Sequence, residues 1–216
     1  DKCIEEINNL FLEKMPKSHK FSLSICFGSS LISNLLALNL RIFYGRKPLL
    51  LTSSSEHIGG IEPFTHHADV HKVDLDIDHI YNEAKNLGPD IIFLSHFSYE
   101  KGASINFKIL KKKLSKLPKK PLMIIDCAQS LGASIDNKKT GLIGKAGIFS
   151  FYATKLMTSG GQGGMFVSKD KNLVDKVRDY REFDCRRDQK ERFNFQMTDI
   201  QASIGRVQLK KLPSFL

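Results

Sequence analysis

Two residues of this 216-residue chain have types and surroundings suited to covalent chemistry: a carboxylate, Asp126, and an amine, Lys155. Asp126 abruptly ends the apolar run Leu122 to Ile125, which reads as a buried strand delivering an acid at its carboxyl end. Lys155 follows a second apolar run, Gly147 to Tyr152, by way of Ala153 and Thr154. After the lysine comes SGGQGG, whose small residues let a backbone approach a ligand closely. An amine condenses with an aldehyde, and a carboxylate can keep a ring nitrogen protonated so that the ring absorbs electron density. The pair therefore suits a flat, anionic ring.

A third feature is Gly28-Ser29-Ser30, ahead of the nearly all-apolar segment Leu31 to Leu40. Hydroxyls and free amides at a helix N-terminus suit a phosphate. An ordinary serine N-cap is the plain alternative. His57 follows the apolar run Pro48 to Ser54, and from the residues alone it reads as a surface histidine.

The elements that must position these residues alternate. FSLSICFG, PLLLTSS, ADVHKVDLD, DIIFLSHF, the run into Asp126, the run into Ser150 and GGMFVSKD read as strands. LISNLLALNL, the segment after EHIGGIEPF, IDHIYNEAKNL, FKILKKKLSKL and LVDKVRDYREF read as helices, with a terminator at Gly88-Pro89. An amphipathic helix over 1–15, with Ile4, Ile7, Leu10, Phe11 and Met15 on one stripe, precedes them and ends at Pro16. This rhythm predicts an α/β domain with a mostly parallel sheet covered on both faces, where ligands lie at the carboxyl ends of strands. Gly28, His57, Asp126 and Lys155 all fall just past a predicted strand end.

Length and composition fit one large domain with a real core. The formal charge is +10, but the lysines of KKKLSKLPKK read as solvated helix faces and turns, so no nucleic-acid partner is expected. The same charge fits a phosphorylated or nucleotide-linked substrate. Cys3, Cys26, Cys127 and Cys185 lie far apart without a CxxC, as for reduced thiols in a cytoplasmic protein. His66, His67 and His71 lack partners at ligand spacing, so no metal is expected. No apolar run reaches the roughly 20 residues that span a bilayer.

DCAQSLGA, then KTGLIGKAGIFSFYATK, then GGQGG resemble the DegT/DnrJ/EryC1 aminotransferases, in which D-A-A-Q-A-x-G-A precedes G-S-x-G-D-x-x-x-F-S-F-x-x-x-K and a Gly-rich turn. FNFQMTDIQASIGRVQLKKLPSFL is similar to their G-y-N-y-R-m-t-d-i-q-A-A-i-G-l-x-Q-L-x-x-L, so the resemblance runs from about Ile4 to Leu216. It implies a fold type I α/β/α large domain that binds pyridoxal 5'-phosphate and moves an amino group from a donor such as glutamate to a keto sugar, often nucleotide-linked. Lys155 would join the cofactor and shuttle the proton, Asp126 would hold its ring nitrogen, and Gln129 its ring hydroxyl. Ser150 with Gly28, Ser29 and Ser30 would hold the phosphate, and His57 would cover the ring. Two subunits would share their active sites, with Asn194 reaching the partner's cofactor phosphate. The family's smaller C-terminal domain is not found before Leu216, which implies either a fragment or a shortened cofactor-binding relative without turnover. Two positions depart from the pattern: Gln196 stands at the usual Arg and Tyr152 at the usual His.

Two other classes compete. The Glu56-His57 pair is similar to the stacking histidine of class V aminotransferases and cysteine desulfurases, for which Cys185 would be the candidate mobile-loop thiol. The other is a basic, cofactor-free binding module.

Overall fold

The computed structural model describes residues 22–26, 28–135 and 137–216; the helix expected over 1–15 lies outside them. Among the described residues, nine strands and six helices follow in chain order. They are β1 (Ser22–Cys26), α1 (Ser29–Tyr44), β2 (Leu49–Ser53), α2 (Ile58–Thr65), β3 (Asp69–Val73), α3 (Ile77–Leu87), β4 (Ile91–Ser95), α4 (Phe107–Leu114) and β5 (Leu122–Asp126). Then come β6 (Ser134–Ile135), β7 (Lys138–Lys139), β8 (Ala146–Ser150), β9 (Gly164–Ser168), α5 (Lys171–Arg181) and α6 (Asp199–Phe215).

Seven strands form one sheet in the order β1-β9-β8-β5-β4-β2-β3, while β6 and β7 pair separately. Neighbours from β8 through β3 run parallel. The strand-helix rhythm missed one reversal: β9 runs antiparallel to both β8 and β1. No helix separates β8 from β9, so the chain turns back on itself between Phe151 and Gly163, which brings Lys155 and the glycines into that turn.

Both faces of the sheet are covered, which explains why its central strands read as continuous apolar runs. Ile91 and Phe93 of β4, with Ile124, Ile148 and Phe166, pack under α1, α2 and α5 through Leu35, Leu36, Phe64 and Val177. Ile92 and Leu94, with Ile125, Phe149 and Met165, face α3, α4 and α6 through Ile80, Phe107, Leu110 and Leu209. Alternate residues of a strand thus belong to opposite halves of a three-layer core.

The helix ends follow local chemistry. Asp76 caps α3, accepting from the Asp78 and His79 amides at 2.8 and 2.9 Å. Asn106 caps α4 and Asp170 caps α5, and Thr198 with Gln201 forms a capping box on α6. Gly45 and Gly88 close α1 and α3 in the left-handed conformation. The start of α1 differs: Gly28 stands at the N-cap with no side-chain hydrogen bond.

Candidate active site

A cleft of about 660 Å³ opens at the carboxyl ends of the central strands. Eight of the nine site residues predicted from sequence line it: Gly28, Ser29, Ser30, His57, Asp126, Gln129, Ser150 and Lys155. They come from four separate stretches of chain that the parallel sheet brings to one edge.

Asp126 closes β5 opposite Ser95 of β4. The His96 amide donates to its main-chain oxygen at 2.8 Å, and the Ala128 amide donates to Oδ1 at 2.8 Å. Oδ2 lies beneath α2, where a Cβ added at Gly60 would come within 3.0 Å of it. A side chain there would press on the acid, so a glycine lets the helix pass closely over it. Burial raises the Asp126 pKa, and the Ala128 amide and the charges of Lys155 and His57 offset this only in part. Among the described residues no cation forms a salt bridge with this carboxylate.

Lys155 is not on a strand. β8 ends at Ser150, and the Lys155 amide donates to Tyr152 O at 3.0 Å in the turn that follows. That turn is folded against itself: the Phe151 amide donates to Gly163 O at 2.8 Å and the Ala153 amide to Gly161 O at 3.1 Å. Tyr152, Thr154 and Gln162 from the same turn also line the cleft. Where the turn rejoins the sheet, a Cβ at Gly164 would fall 2.7 Å from the Ser29 amide nitrogen, so β9 starts hard against the N-terminus of α1.

That N-terminus decides between the two readings of Gly28-Ser29-Ser30. The cap position is Gly28, and neither serine side chain caps the helix. Ser29 and Ser30 sit inside the first turn, and both line the cleft. The helix therefore presents uncapped amides and two hydroxyls to the cleft, which is the arrangement that binds a phosphate group.

His57 caps α2 with its own ring, Nδ1 accepting from the Gly59 amide at 3.1 Å. In the neutral ring the proton then resides on Nε2. The ring meets Tyr99 edge to face, with centroids 5.3 Å apart. Sequence reasoning passed over Tyr99, Phe97 and Ser95, which also line the cleft. Ser95 was signalled only as the polar end of an apolar run, as Asp126 was.

Other expected residues lie elsewhere. Asn194 is exposed and off the cleft wall, in a segment tied to α5 by the amides of Phe193 and Phe195. Gln196 donates to Asp184 at 2.9 Å, and Cys185, at φ 58°, is exposed and likewise off the wall. Among the described residues no His, Cys, Asp and Glu gather to hold a metal, and His71 pairs with Glu83 at 3.2 Å. No helix among them is long and apolar enough to cross a membrane.

The cleft thus offers three complementary groups: a carboxylate short of a cation, an uncapped helix N-terminus and a lysine whose charge reaches that carboxylate. A pyridoxal phosphate molecule carries the matching set of ring nitrogen, phosphate and aldehyde, so the residues present fit it.

Comparison with known proteins agrees with this fit. The model of the DegT/DnrJ/EryC1/StrS aminotransferase family matches residues 112–216. A GDP-perosamine synthase of Caulobacter vibrioides is 37% identical over 44% of this chain and 27% of its own length. The chain is similar in fold to an aminotransferase of pseudoaminic acid biosynthesis from Helicobacter pylori, with TM-score 0.77 and 21% identity over 98% of this chain and 57% of that one. It is also similar to a GDP-4-keto-6-deoxymannose-3-dehydratase with bound GDP-perosamine, with TM-score 0.81 and 18% identity over 98% of this chain and 60% of that one. The chain therefore spans about three fifths of the length of these solved neighbours. Residues 112–216 are thus similar to the DegT/DnrJ/EryC1/StrS aminotransferase family, and the chain shares the fold of these solved enzymes.

Proposed function

We propose that this chain is the large, cofactor-binding domain of a cytoplasmic pyridoxal-phosphate aminotransferase that moves an amino group from an amino acid, glutamate by family resemblance, to a nucleotide-linked keto sugar. The observation that carries the proposal is the meeting of Asp126, Lys155 and the uncapped start of α1 around one cleft. When bound, the cofactor supplies an electron sink for the charge that develops as the donor's Cα–H bond breaks. The Asp126 carboxylate would hold the ring nitrogen in its protonated form, as suits an anion that its neighbours compensate only in part. Ser29, Ser30 and the free amides of α1 anchor the phosphate, with Ser150 at the end of β8 beside them on the cleft wall. Gln129 lies next to Asp126 on that wall, suited to the ring hydroxyl, and His57 forms a ring-shaped wall braced by Tyr99. Lys155 Nζ is the base that takes the Cα proton, and the turn that carries it holds it near Asp126.

The proposal includes a homodimer with shared active sites. An apolar stripe on α6, Ile200, Ile204 and Val207, is exposed at 76%, 38% and 53%, as for a helix with a missing neighbour. Asn194 is exposed nearby in sequence and does not line its own cleft, as for a residue serving a partner's phosphate.

Borohydride reduction of the cofactor-loaded protein tests the site. Mass spectrometry of the digest should find the cofactor fixed on Lys155, and Lys155→Ala should abolish that label. A label on another lysine would overturn the assignment. Glutamate-dependent loss of the visible absorption band separates the aminotransferase from the desulfurase, which would release sulfide from cysteine.

A further inference from the structure

Glu56 is a half-buried acid that none of these roles uses. It precedes His57 in the loop between β2 and α2, and a single residue occupies both of its carboxylate oxygens. The Ser95 amide donates to Oε1 at 2.9 Å, and the Ser95 hydroxyl donates to Oε2. Ser95 closes β4, stands opposite Asp126 in the β4–β5 register and lines the cleft. The loop that carries His57 is thereby fastened to the strand beside Asp126. The start of the loop is tied to β3 by the Ser54 amide, which donates to Val73 O at 2.7 Å, and short-range bonds run from the Glu56 amide to Ser53 O at 3.3 Å and from the Ser55 amide to Ser53 Oγ at 3.0 Å.

We propose that Glu56 is a positioning residue for the cofactor ring, which by clamping Ser95 fixes the His57 wall of the cleft relative to Asp126 on its floor. This role rests on the cleft holding pyridoxal phosphate.

The clamp also titrates. Burial pushes Glu56 up to about 7, against the pull of the two Ser95 hydrogen bonds, and the charge of Asp126 adds to the rise. Asp126 on β5 is the charged group that bears on it, Ser95 on β4 is its donor, and His57 follows it in the chain; no lysine or arginine pairs with it among the described residues. In its ionised form Glu56 accepts the serine hydroxyl proton. In its protonated form its own O–H can donate to Ser95 Oγ, releasing the serine proton toward the cleft. A cation bound at Asp126 cancels the repulsion that helps keep Glu56 protonated. Cofactor binding near pH 7 therefore favours ionised Glu56 and the clamped serine.

Equilibrium binding of pyridoxal phosphate, followed by its visible band from pH 6 to 8.5, tests this with two variants. Glu56→Ala removes the clamp and should weaken binding about tenfold or more, roughly one factor of ten per 1.4 kcal/mol. Glu56→Gln keeps a partner for Ser95 but cannot ionise. It should fold, stay within about threefold of the parent in affinity at pH 6, and lose the component of the parent's pH dependence centred near neutrality. Parent-like binding by Glu56→Ala would overturn the proposal, as would a parent-like pH profile in Glu56→Gln. If the parent itself develops no band with the cofactor, the aminotransferase reading and this role fall together. If the parent does and both variants match it, only this role falls.

Discussion

Two aspartates, one buried and one lining the cleft, stand at opposite ends of the same sheet, and their surroundings could hardly differ more. Asp90 sits before β4 at the end of the sheet away from the cleft, with its side chain 2% exposed. Arg46 grips both of its oxygens at 2.9 Å, Lys119 reaches Oδ1 at 2.7 Å, and the Leu49 amide donates to Oδ2 at 2.8 Å. Burial alone would raise its pKa, but these partners outweigh it and hold the carboxyl at about 2. Asp126, at the other end, accepts from the Ala128 amide, has no salt-bridge partner among the described residues, and its pKa is raised. A saturated carboxylate is a structural rivet, whereas an under-satisfied one is strain held ready for a ligand. The helix starts repeat the lesson: α3, α4, α5 and α6 have polar side-chain caps, while α1, which opens on the cleft, has none.

The contrast can be broken most sharply by making the same substitution twice. Asp90→Asn leaves Arg46 and Lys119 without their anion and unties the starts of β2, β4 and β5, so urea unfolding should lose about 3 kcal/mol, the usual order for breaking a buried ion pair. Asp126→Asn should leave the cofactor-free protein as stable as the parent or slightly more so, because a desolvated charge is removed. Its cost falls on the reaction instead, roughly 3 kcal/mol of barrier as for other electrostatic groups aimed at developing charge. Equal unfolding losses in the two variants would erase the distinction.

The pH dependences should run in opposite directions. Asp90 has a depressed pKa, so its contribution is complete above the unfolded value near 3.8 and is lost as pH falls through about 2. Glu56 has a raised one, so the cofactor-free protein should lose stability as pH rises from about 4.5 through about 7, where the acid must ionise in place. Thermal melts of the parent and Glu56→Gln across pH 4.5 to 8 check the sign: the parent should show this decline and the variant should lack it.

The smallest effect separates the helix starts. Thr198→Ala removes both halves of the α6 capping box and should cost about 1 kcal/mol of unfolding free energy. Ser29→Ala and Ser30→Ala remove no cap, so in the cofactor-free protein each should stay within about 0.5 kcal/mol of the parent. Their loss should appear in affinity for pyridoxal phosphate.

Local chemistry made most of this molecule readable from its residues. The runs LLLTS, IIFLS and LMIID are buried strands because both faces of a covered sheet demand apolar residues, and their polar last residues mark the edge where ligands gather. That is why eight of the nine residues proposed from strand ends, one turn and motif order line one cleft. Three matters depended on distance across the fold. Antiparallel pairing of β9 is a choice of neighbour that a five-residue apolar run does not encode, and it turned the segment around Lys155 from a strand end into a tight hairpin turn. Whether Ser29 and Ser30 cap a helix or face a ligand turned on one residue's shift of the helix start, a boundary too fine for periodicity. Glu56 read as a polar neighbour of His57. Its hold on Ser95, 39 residues away, exists only because β2 and β4 lie side by side, and the proximity of Asp126 that raises its pKa is likewise a product of strand order.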